Sequence, residues 1–258
     1  MQTRRGSTLK GVITISLMVV NVVFWVPLLL VVALAKLIIP LAAWRRWTSA
    51  LMIWIAQAWI SCNGAIFSLL GALRLEVEGV AGLDPRSWYL VLSNHRSWVD
   101  ILVLQQAFNR RIPFLKFFLK QELIWVPFLG LAWWALDFPF MKRHSATYLQ
   151  KHPEARGEDL DATRKACQRF ALLPTSVMNF VEGTRFTQAK HDAQGSPYEH
   201  LLKPKSGGVA FVLDAMGDGL HSIIDVTIAY PAGTPSLLDL LADRIPEVRV
   251  QVRQRAIP

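Results

Sequence analysis

The 258-residue chain contains little cysteine and few charged residues. Its two cysteines, Cys62 and Cys167, lack the spacing of a metal site, and we expect free thiols in a reducing compartment. Charged residues make up only 18% of the chain, hydrophobic residues make up 52%, and the mean hydropathy is +0.30. This composition is too apolar for an ordinary cytosolic enzyme, so part of the chain must contact lipid.

The sequence also lacks two common signatures of catalysis. No G-x-S-x-G motif occurs, which argues against a lipase-like enzyme that forms an acyl-enzyme intermediate. Five histidines lie in polar surroundings without metal spacing, so we interpret them as surface residues and expect no metal site. These are His144, His152, His191, His200 and His221.

Positive charge exceeds negative charge in this chain. The net charge of +9 and the isoelectric point near 9.9 favour an anionic partner, such as a membrane surface, a nucleic acid or a phosphorylated substrate. No recognisable nucleic-acid-binding module occurs, so we expect no nucleic acid as a partner. A phospholipid membrane and a phosphorylated substrate remain.

Two long uncharged runs occupy the first 73 residues. They cover residues 11–35 and 47–73, and each exceeds the roughly 20 residues that a helix needs to span a bilayer. The first run is also longer than the apolar core of a typical signal peptide, about 7 to 15 residues. Basic residues flank it on both sides, so its orientation stays open. We predict membrane-embedded helices over residues 1–73, either spanning or re-entrant.

The pattern changes at residue 74. Residues 160–170 carry apolar side chains at helical spacing in a charged segment, as in an amphipathic helix that lies on a sheet. Alternation of this kind of helix with strands predicts one α/β domain over residues 74–258. The strand-like runs are residues 75–78, 88–92, 177–181, 223–230 and 248–252.

The strongest chemical signal is S-N-H-R-S-W-V-D at residues 93–100, which follows a predicted strand and precedes an apolar run. On one helix, positions 95 and 100 would point about 140° apart, so their side chains can meet only if His95 lies in a turn. Asp100 would then accept the Nδ1 proton and leave Nε2 free to take a proton from a substrate hydroxyl. The alternative is a surface histidine near a helix-capping aspartate.

A second motif, F-V-E-G-T-R at residues 180–185, follows another predicted strand. Gly183 permits close approach of the backbone to a ligand, and the planar guanidinium of Arg185 suits bidentate binding of phosphate. The presence of both motifs in one chain favours a catalytic site over a surface histidine.

Together, N-H-x-x-x-x-D and E-G-T-R resemble the glycerolipid acyltransferase family, typified by the PlsC-like lysophosphatidic acid acyltransferases of bacteria. The resemblance covers roughly residues 74–232, including residues 118–143 and Tyr230-Pro231. Residues 119–143 and 203–208 are most similar to the bacterial YihG-type members. The resemblance implies a mixed sheet flanked by helices, with an N-terminal membrane helical segment.

The resemblance also implies roles for particular residues. His95 is the implied general base, and Asp100 is its partner. The implied phosphate-binding residues, two of which shape the loop, are Lys120, Arg185, Gly183 and Glu182. Weaker candidates are basic residues that could equally form a solvated or lipid-facing rim, namely Arg96, Lys116, Lys142 and Arg143.

The implied reaction transfers a fatty acyl group from acyl-CoA or acyl carrier protein to the free hydroxyl of lysophosphatidic acid. The product is phosphatidic acid, no metal or cofactor is required, and the implied location is the cytoplasmic side of the bacterial inner membrane. Two alternatives stay open. One is acylation of another lysophospholipid in membrane remodelling, and the other is a non-catalytic membrane-anchored binder of anionic lipid.

Overall fold

The computed structural model describes residues 8–71, 73–142, 146–152, 157–170, 173–245 and 247–257. Its strands are β1 Leu75–Glu78, β2 Tyr89–Ser93, β3 Leu115–Phe117, β4 Leu119–Lys120, β5 Phe140–Met141, β6 Ser176–Phe180, β7 Ser222–Ala229 and β8 Val248–Arg255. Its α-helices are α1 Thr8–Ile38, α2 Ala42–Leu70, α3 Val99–Phe108, α4 Leu129–Ala135, α5 Ala146–Lys151, α6 Glu158–Phe170, α7 Gln188–Gln194, α8 Ser206–Met216 and α9 Leu237–Leu241. There are 3₁₀ turns at Gln121–Trp125 and Gly217–Gly219.

Six strands form the central sheet in the order β1-β8-β7-β2-β6-β3. β2 runs parallel to both of its neighbours, β6 and β7, and β3 runs parallel to β6. β8 runs antiparallel to β7, whereas β1 and β8 are parallel to each other. The sheet is therefore mixed, as predicted. The carboxyl ends of β2, β6, β7 and β3 lie at one edge, here called the carboxyl edge, where ligands bind in open α/β sheets.

The alternating side chains of β2 serve two cores, one on each face of the sheet. Tyr89 and Val91 belong to a large cluster that also contains residues of α3. Leu90 belongs to a smaller cluster on the other face, where α6 contributes Cys167 and Phe170. The predicted amphipathic helix is thus confirmed, since α6 buries these two side chains and exposes charged ones.

The first two helices form a hairpin. Each is long and apolar enough to cross a membrane by length and composition. A buried polar contact joins them, because the side-chain amide of Asn21 donates to Asn63 Oδ1 at 2.8 Å and to the Trp59 carbonyl at 3.1 Å. Gly71, in the left-handed conformation with φ of 66°, ends α2 before the chain enters the sheet.

Both ends of α1 are bonded to the globular part. Near its start, Lys10 Nζ lies 3.0 Å from Asp243 Oδ2, and near its end Lys36 Nζ lies 3.4 Å from Asp137 Oδ2. Between these ends, α1 side chains belong to the same core cluster as β2. The boundary predicted at residue 73 lies between the end of α2 and the start of β1. In space, however, the hairpin and the sheet contribute side chains to the same core cluster. Helix α1 therefore lies along the globular part.

Candidate active site

The N-H-x-x-x-x-D motif forms the turn between β2 and α3. Helix α3 begins at Val99, so His95 lies in the turn and Asp100 lies in the first turn of the helix, as the sequence geometry required. Asn94 fixes this turn to β7, because its side chain donates to the Ile228 carbonyl at 2.9 Å and accepts the Ile228 N–H at 2.8 Å. The turn is therefore held at the carboxyl edge.

His95 and Asp100 are hydrogen-bonded, with 2.9 Å between His95 Nδ1 and Asp100 Oδ2. Asp100 is fully buried, and the same oxygen accepts the backbone N–H groups of Arg96 at 2.6 Å and Ser97 at 2.9 Å. Because a carboxylate only accepts hydrogen bonds, Nδ1 carries the proton, and in the neutral form of the imidazole Nε2 then has a free lone pair. The His95 side chain is 15% exposed, so Nε2 can be presented to a substrate.

Tyr230 supplies the remaining partner of Asp100. Its phenol donates to Asp100 Oδ1 at 2.5 Å. Burial, and then the negative charge of Asp100, raise the pKa of Tyr230 well above its usual value, so the phenol stays protonated. The sequence marks Tyr230 only as the residue before Pro231, and this contact was not predicted. It arises because β7, which ends at Ala229, pairs directly with β2.

Aromatic rings stack on one face of the His95 imidazole. The ring of His95 stacks on Phe180, with centroids 3.9 Å apart and planes 14° apart. Phe117 stacks in turn on Phe180 at 6.2 Å. Phe180 ends β6 and opens the E-G-T-R segment, so the second motif orients the ring of the first.

Glu182 is built into the framework of the site. Its side chain is buried, and its two oxygens accept the backbone N–H groups of His95 and Leu202, each at 2.8 Å. Direct contact with a phosphate does not fit this placement, because both oxygens are occupied and the carboxylate would repel an anion. The grouping of Glu182 with the phosphate-binding residues is therefore corrected as regards direct contact. Its predicted part in shaping the loop fits the structure, because the residue holds the two motifs together.

Gly183 has a φ of 68° and lies beneath a lysine. A side-chain β-carbon built at Gly183 would stand 3.0 Å from Lys205 Cδ, so glycine lets Lys205 cross the loop. The backbone N–H of Lys205 also donates to the Val181 carbonyl at 2.7 Å. Lys205 is thus a basic residue of this site that was not among the predicted site residues, although it lies in the K-P-K-S-G-G segment.

Arg185 lies on the exposed side of the same loop. Its guanidinium carbon is 4.9 Å from the centroid of the Trp98 ring, which belongs to the turn that carries His95. The Lys190 ammonium bonds the Thr184 hydroxyl at 2.8 Å and the Arg185 carbonyl at 3.0 Å. The structure therefore brings Arg185 to the same turn as His95.

Arg96 has protein partners around its guanidinium. It donates to the Thr234 hydroxyl at 3.2 Å and to the His200 carbonyl at 3.0 Å, and it lies 4.6 Å from the centroid of Phe186. These contacts join the β2–α3 turn to two other loops. A phosphate at Arg96 would have to compete with them.

Lys120 and Lys142 both lie near a small parallel pair of strands, β4 and β5, in which Lys120 stands opposite Met141. Both lysines are exposed. Because β4 directly continues the chain from β3, Lys120 lies beyond the carboxyl end of β3, at the edge that carries His95. Arg143 lies outside the described residues.

Lys116 is inside the fold. It is 6% exposed, and its ammonium lies 4.7 Å from the centroid of the Phe170 ring of α6. Burial lowers the pKa of Lys116 to about 8, although the nearby Asp137 carboxylate opposes this shift. Lys116 is predicted as a weaker phosphate-binding candidate, with a place in a basic rim as the alternative. Both are corrected, because its strand turns the side chain under α6.

An apolar cavity lies between the hairpin and the globular part. The cavity is partly open, and its empty space, counted together with the part open to solvent, is about 420 Å³. Gln105 is the polar exception in a lining that is otherwise apolar. Helices α1, α2, α3 and α4 all contribute to it, including Trp25, Leu29, Ala56 and Ala132. Within the described part of the chain, no cluster of three or more His, Cys, Asp or Glu side chains could hold a metal ion.

Comparison with known proteins places this site in a family. The mouse lysocardiolipin acyltransferase 1 is 26% identical over 226 residues, which cover 82% of this chain and 57% of that protein. The 1-acyl-sn-glycerol-3-phosphate acyltransferase 3 of Arabidopsis thaliana is 26% identical over 79% of this chain and 53% of that protein. The chain thus spans about half the length of the curated relatives it matches.

A solved structure shares the fold. The 1-acyl-sn-glycerophosphate (LPA) acyltransferase PlsC from Thermotoga maritima aligns with a TM-score of 0.59 and 16% identity, over 95% of this chain and 83% of that one. The family model described as Acyltransferase matches residues 74–231, which is more than half of the chain. The chain therefore belongs to the acyltransferase family, and the predicted membership of the glycerolipid acyltransferases is confirmed.

Proposed function

We propose that the protein is an O-acyltransferase that moves a fatty acyl group from a thioester to the free hydroxyl of a lysophospholipid. The observation that carries this proposal is the buried Asp100 carboxylate bonded to His95 Nδ1, beside the E-G-T-R loop in a member of the acyltransferase family. A histidine fixed in this tautomer acts as a base through Nε2.

In this reaction, Nε2 of His95 takes the proton from the acceptor hydroxyl as its oxygen attacks the thioester carbonyl. The tetrahedral intermediate collapses, the carbon–sulfur bond breaks, and the thiol leaves with the proton from His95. Asp100 stabilises the imidazolium that forms in between, as in other histidine–carboxylate pairs. General base catalysis of this kind contributes about 10² to 10⁴-fold to a rate.

Basic groups around this base would bind the acceptor phosphate. Arg185, which contacts Trp98 of the same turn, offers a planar fork, and exposed Lys120 offers a point charge at the same edge. The side chain of Lys205 crosses the loop at Gly183, so it adds a third cation beside Arg185. A phosphate monoester beside a free hydroxyl is the acceptor chemistry that this arrangement suits.

Lysophosphatidic acid is the acceptor we propose, with phosphatidic acid as the product and acyl-CoA or acyl carrier protein as the donor. Relatives named as 1-acyl-sn-glycerol-3-phosphate acyltransferases support this acceptor. Relatives named as lysocardiolipin acyltransferases favour the second candidate, a lysophospholipid with a larger headgroup. A non-catalytic lipid binder is the third candidate. It is less favoured because lipid binding alone would not need the accessible Nε2 of His95.

The acyl chain and the membrane have proposed places as well. The apolar cavity between the hairpin and the globular part suits a hydrocarbon chain, because contact with its apolar lining would remove the surface of the chain from water, which is favourable. Since α1 is bonded to the globular part at both ends, we propose that the hairpin lies in one face of the membrane. Both thioester donors are cytosolic, so the proposed location is the cytoplasmic side of the bacterial inner membrane.

A matrix of substrates tests this proposal. The purified full-length protein is incubated with lysophosphatidic acid, lysophosphatidylglycerol and lysocardiolipin, each with acyl-CoA and with acyl carrier protein thioesters. We expect a phosphatidic acid product, and a preference for lysocardiolipin would select the second candidate. No product from any pair, with lipid binding intact, would select the non-catalytic binder.

A further inference from the structure

Helix α4 exposes a row of large apolar side chains. Phe128, Leu131 and Trp134 are spaced three residues apart and are 49%, 53% and 54% exposed. Trp125, at the end of the preceding 3₁₀ turn, is 84% exposed. These four residues, here called the α4 face, lie in the globular part and outside the hairpin. Three aromatic rings and a leucine close together in sequence exceed the scattered apolar exposure of an ordinary surface.

The exposure of the α4 face is fixed by packing on the opposite side of the helix. Gly130 is buried, and a β-carbon there would stand 2.0 Å from the Ile124 carbonyl oxygen, so the backbones are in direct contact. Ala132 and Ala135 are buried as well, and Leu129, Ala132 and Leu136 line the cavity on the side of the helix that faces α1. The segment therefore cannot rotate to bury its aromatic side chains without losing this contact.

The α4 face continues the apolar surface of α1. The inner side of α4 and residues Trp25, Val26 and Leu29 of α1 line the same cavity. The two helices also meet where they end, because Lys36 near the end of α1 bonds Asp137 just after α4. Between Val23 and Lys36 of α1, the exposed residues are all apolar, and they include Leu28, Val31 and Leu34. The surface most suited to lipid thus extends from the hairpin onto α4.

We infer that the α4 face inserts into a phospholipid membrane, as a second lipid contact besides the hairpin. Tryptophan is the side chain most typical of the boundary between headgroups and acyl chains, and two of the four residues are tryptophans. The contact sets the depth of the site, because Lys120 directly precedes the 3₁₀ turn that ends in Trp125. Immersing Trp125 therefore brings Lys120 to the level of the headgroups. This last step rests on the proposed function, whereas the lipid contact does not.

A fluorescent label on single cysteines of the full chain tests the contact. In a Cys62→Ser/Cys167→Ala background, a polarity-sensitive label is attached at Leu131→Cys, and the protein is bound to vesicles of phosphatidylethanolamine and phosphatidylglycerol. Leu34→Cys on α1 is the lipid-facing reference. Arg86→Cys is the reference for solvent, because Arg86 is exposed and precedes β2 at the opposite edge of the sheet.

We expect the label at position 131 to shift its emission to the blue on vesicle binding and to lose intensity to a nitroxide carried on lipid. The label at position 34 should respond in the same way, and the label at position 86 should not respond. Quenching at position 34 without quenching at position 131 would overturn the inference. A blue shift at position 131 that grows with protein concentration, without lipid quenching, would also overturn it and identify a second copy as the partner.

A paired variant separates this contact from the chemistry. Phe128→Ser/Trp134→Ser should lose transfer to an acceptor held in vesicles while keeping transfer to a short-chain acceptor dissolved below its aggregation limit. Equal losses on both acceptors would contradict the role in setting depth. An unmodified chain that is quenched at position 131 yet transfers no acyl group would contradict the proposed function and leave the membrane contact standing.

Discussion

The phenol of Tyr230 donates to Asp100 Oδ1 at 2.5 Å, so the two oxygens of this buried carboxylate serve different parts of the chain. The other oxygen accepts His95 Nδ1 and two backbone N–H groups of the turn. Tyr230 therefore fixes the rotation of the carboxylate and, through it, the orientation of the imidazole. The geometry of the site depends on β7 as well as on the turn that carries the motif.

Removing this phenol should slow the chemical step. In Tyr230→Phe, Asp100 loses the donor that fixes its rotation, so the imidazole of His95 is held less firmly in the orientation that presents Nε2. We expect kcat to fall by about tenfold, as loss of a hydrogen bond to a charged group implies, with the KM of both substrates little changed. Initial rates with each substrate varied in turn, together with Tyr198→Phe as the matched control, test this prediction. An unchanged kcat would mean that Tyr230 acts only in packing.

Arg185 tests recognition of the acceptor separately from proton transfer. Lysine keeps the charge but loses the planar fork, so Arg185→Lys should weaken the use of a phosphate-bearing acceptor, and Arg185→Ala should weaken it further. The expected cost for alanine is about 1.5 to 3 kcal/mol in kcat/KM for the acceptor. Initial rates with each substrate varied in turn measure this effect, with Arg86→Ala as the control. A rise confined to the KM of the thioester donor would reassign Arg185 to the donor's phosphates.

The local geometry of the site could be predicted from the sequence. Five residues separate His95 from Asp100, and helical geometry alone requires the histidine to lie in a turn for the two side chains to meet. The order of strand, turn and helix follows from the apolar runs on either side, and the structure has this order. The amphipathic spacing that defines α6 was equally readable.

The long-range contacts could not be predicted in the same way. Asp100 and Tyr230 stand 130 residues apart, and only the pairing of β2 with β7 brings them together. Strand pairing is not encoded in local periodicity, and the same holds for the side chain of Lys205 over Gly183. An uncharged run has the same sequence pattern whether it contacts lipid or protein. The core that the hairpin shares with the sheet therefore could not be predicted from that pattern.

Lys116 makes a prediction about stability. Its pKa is about 8 in the folded protein and 10.5 as its ordinary value, so the unfolded chain binds more protons between these values. The free energy of unfolding should therefore rise with pH from about 8 to about 10.5, because the cost of the buried charge disappears. Lys116→Met should remove this rise and stabilise the protein at pH 7 by on the order of 1 to 3 kcal/mol. Denaturation in mild detergent at several pH values measures both effects. Lys165→Met, at an exposed position of α6, should change neither.

The apolar cavity predicts a preference in chain length. Ala132 lines the cavity, and a phenylalanine there would fill part of its volume. We expect Ala132→Phe to lower kcat/KM for long acyl chains more than for short ones, when a series of thioester donors is compared. Ala81→Phe, in an exposed turn, is the matched control. A uniform loss across the series would indicate general destabilisation and would place the acyl chain elsewhere.

The central claim is that His95, oriented by Asp100, takes the proton from the acceptor hydroxyl, and single-turnover transfer by His95→Ala tests it most directly. The variant protein is bound to vesicles with lysophospholipid, mixed with a labelled thioester, and compared with His152→Ala and with the unmodified chain. We predict that His95→Ala lowers the rate of transfer by about 10² to 10⁴-fold, with folding by circular dichroism and vesicle binding unchanged. The rate of transfer by Asp100→Asn should lie between the rates of His95→Ala and the unmodified chain, since an amide can present the wrong edge to the imidazole. Transfer by His95→Ala at a rate near that of the unmodified chain would contradict the account.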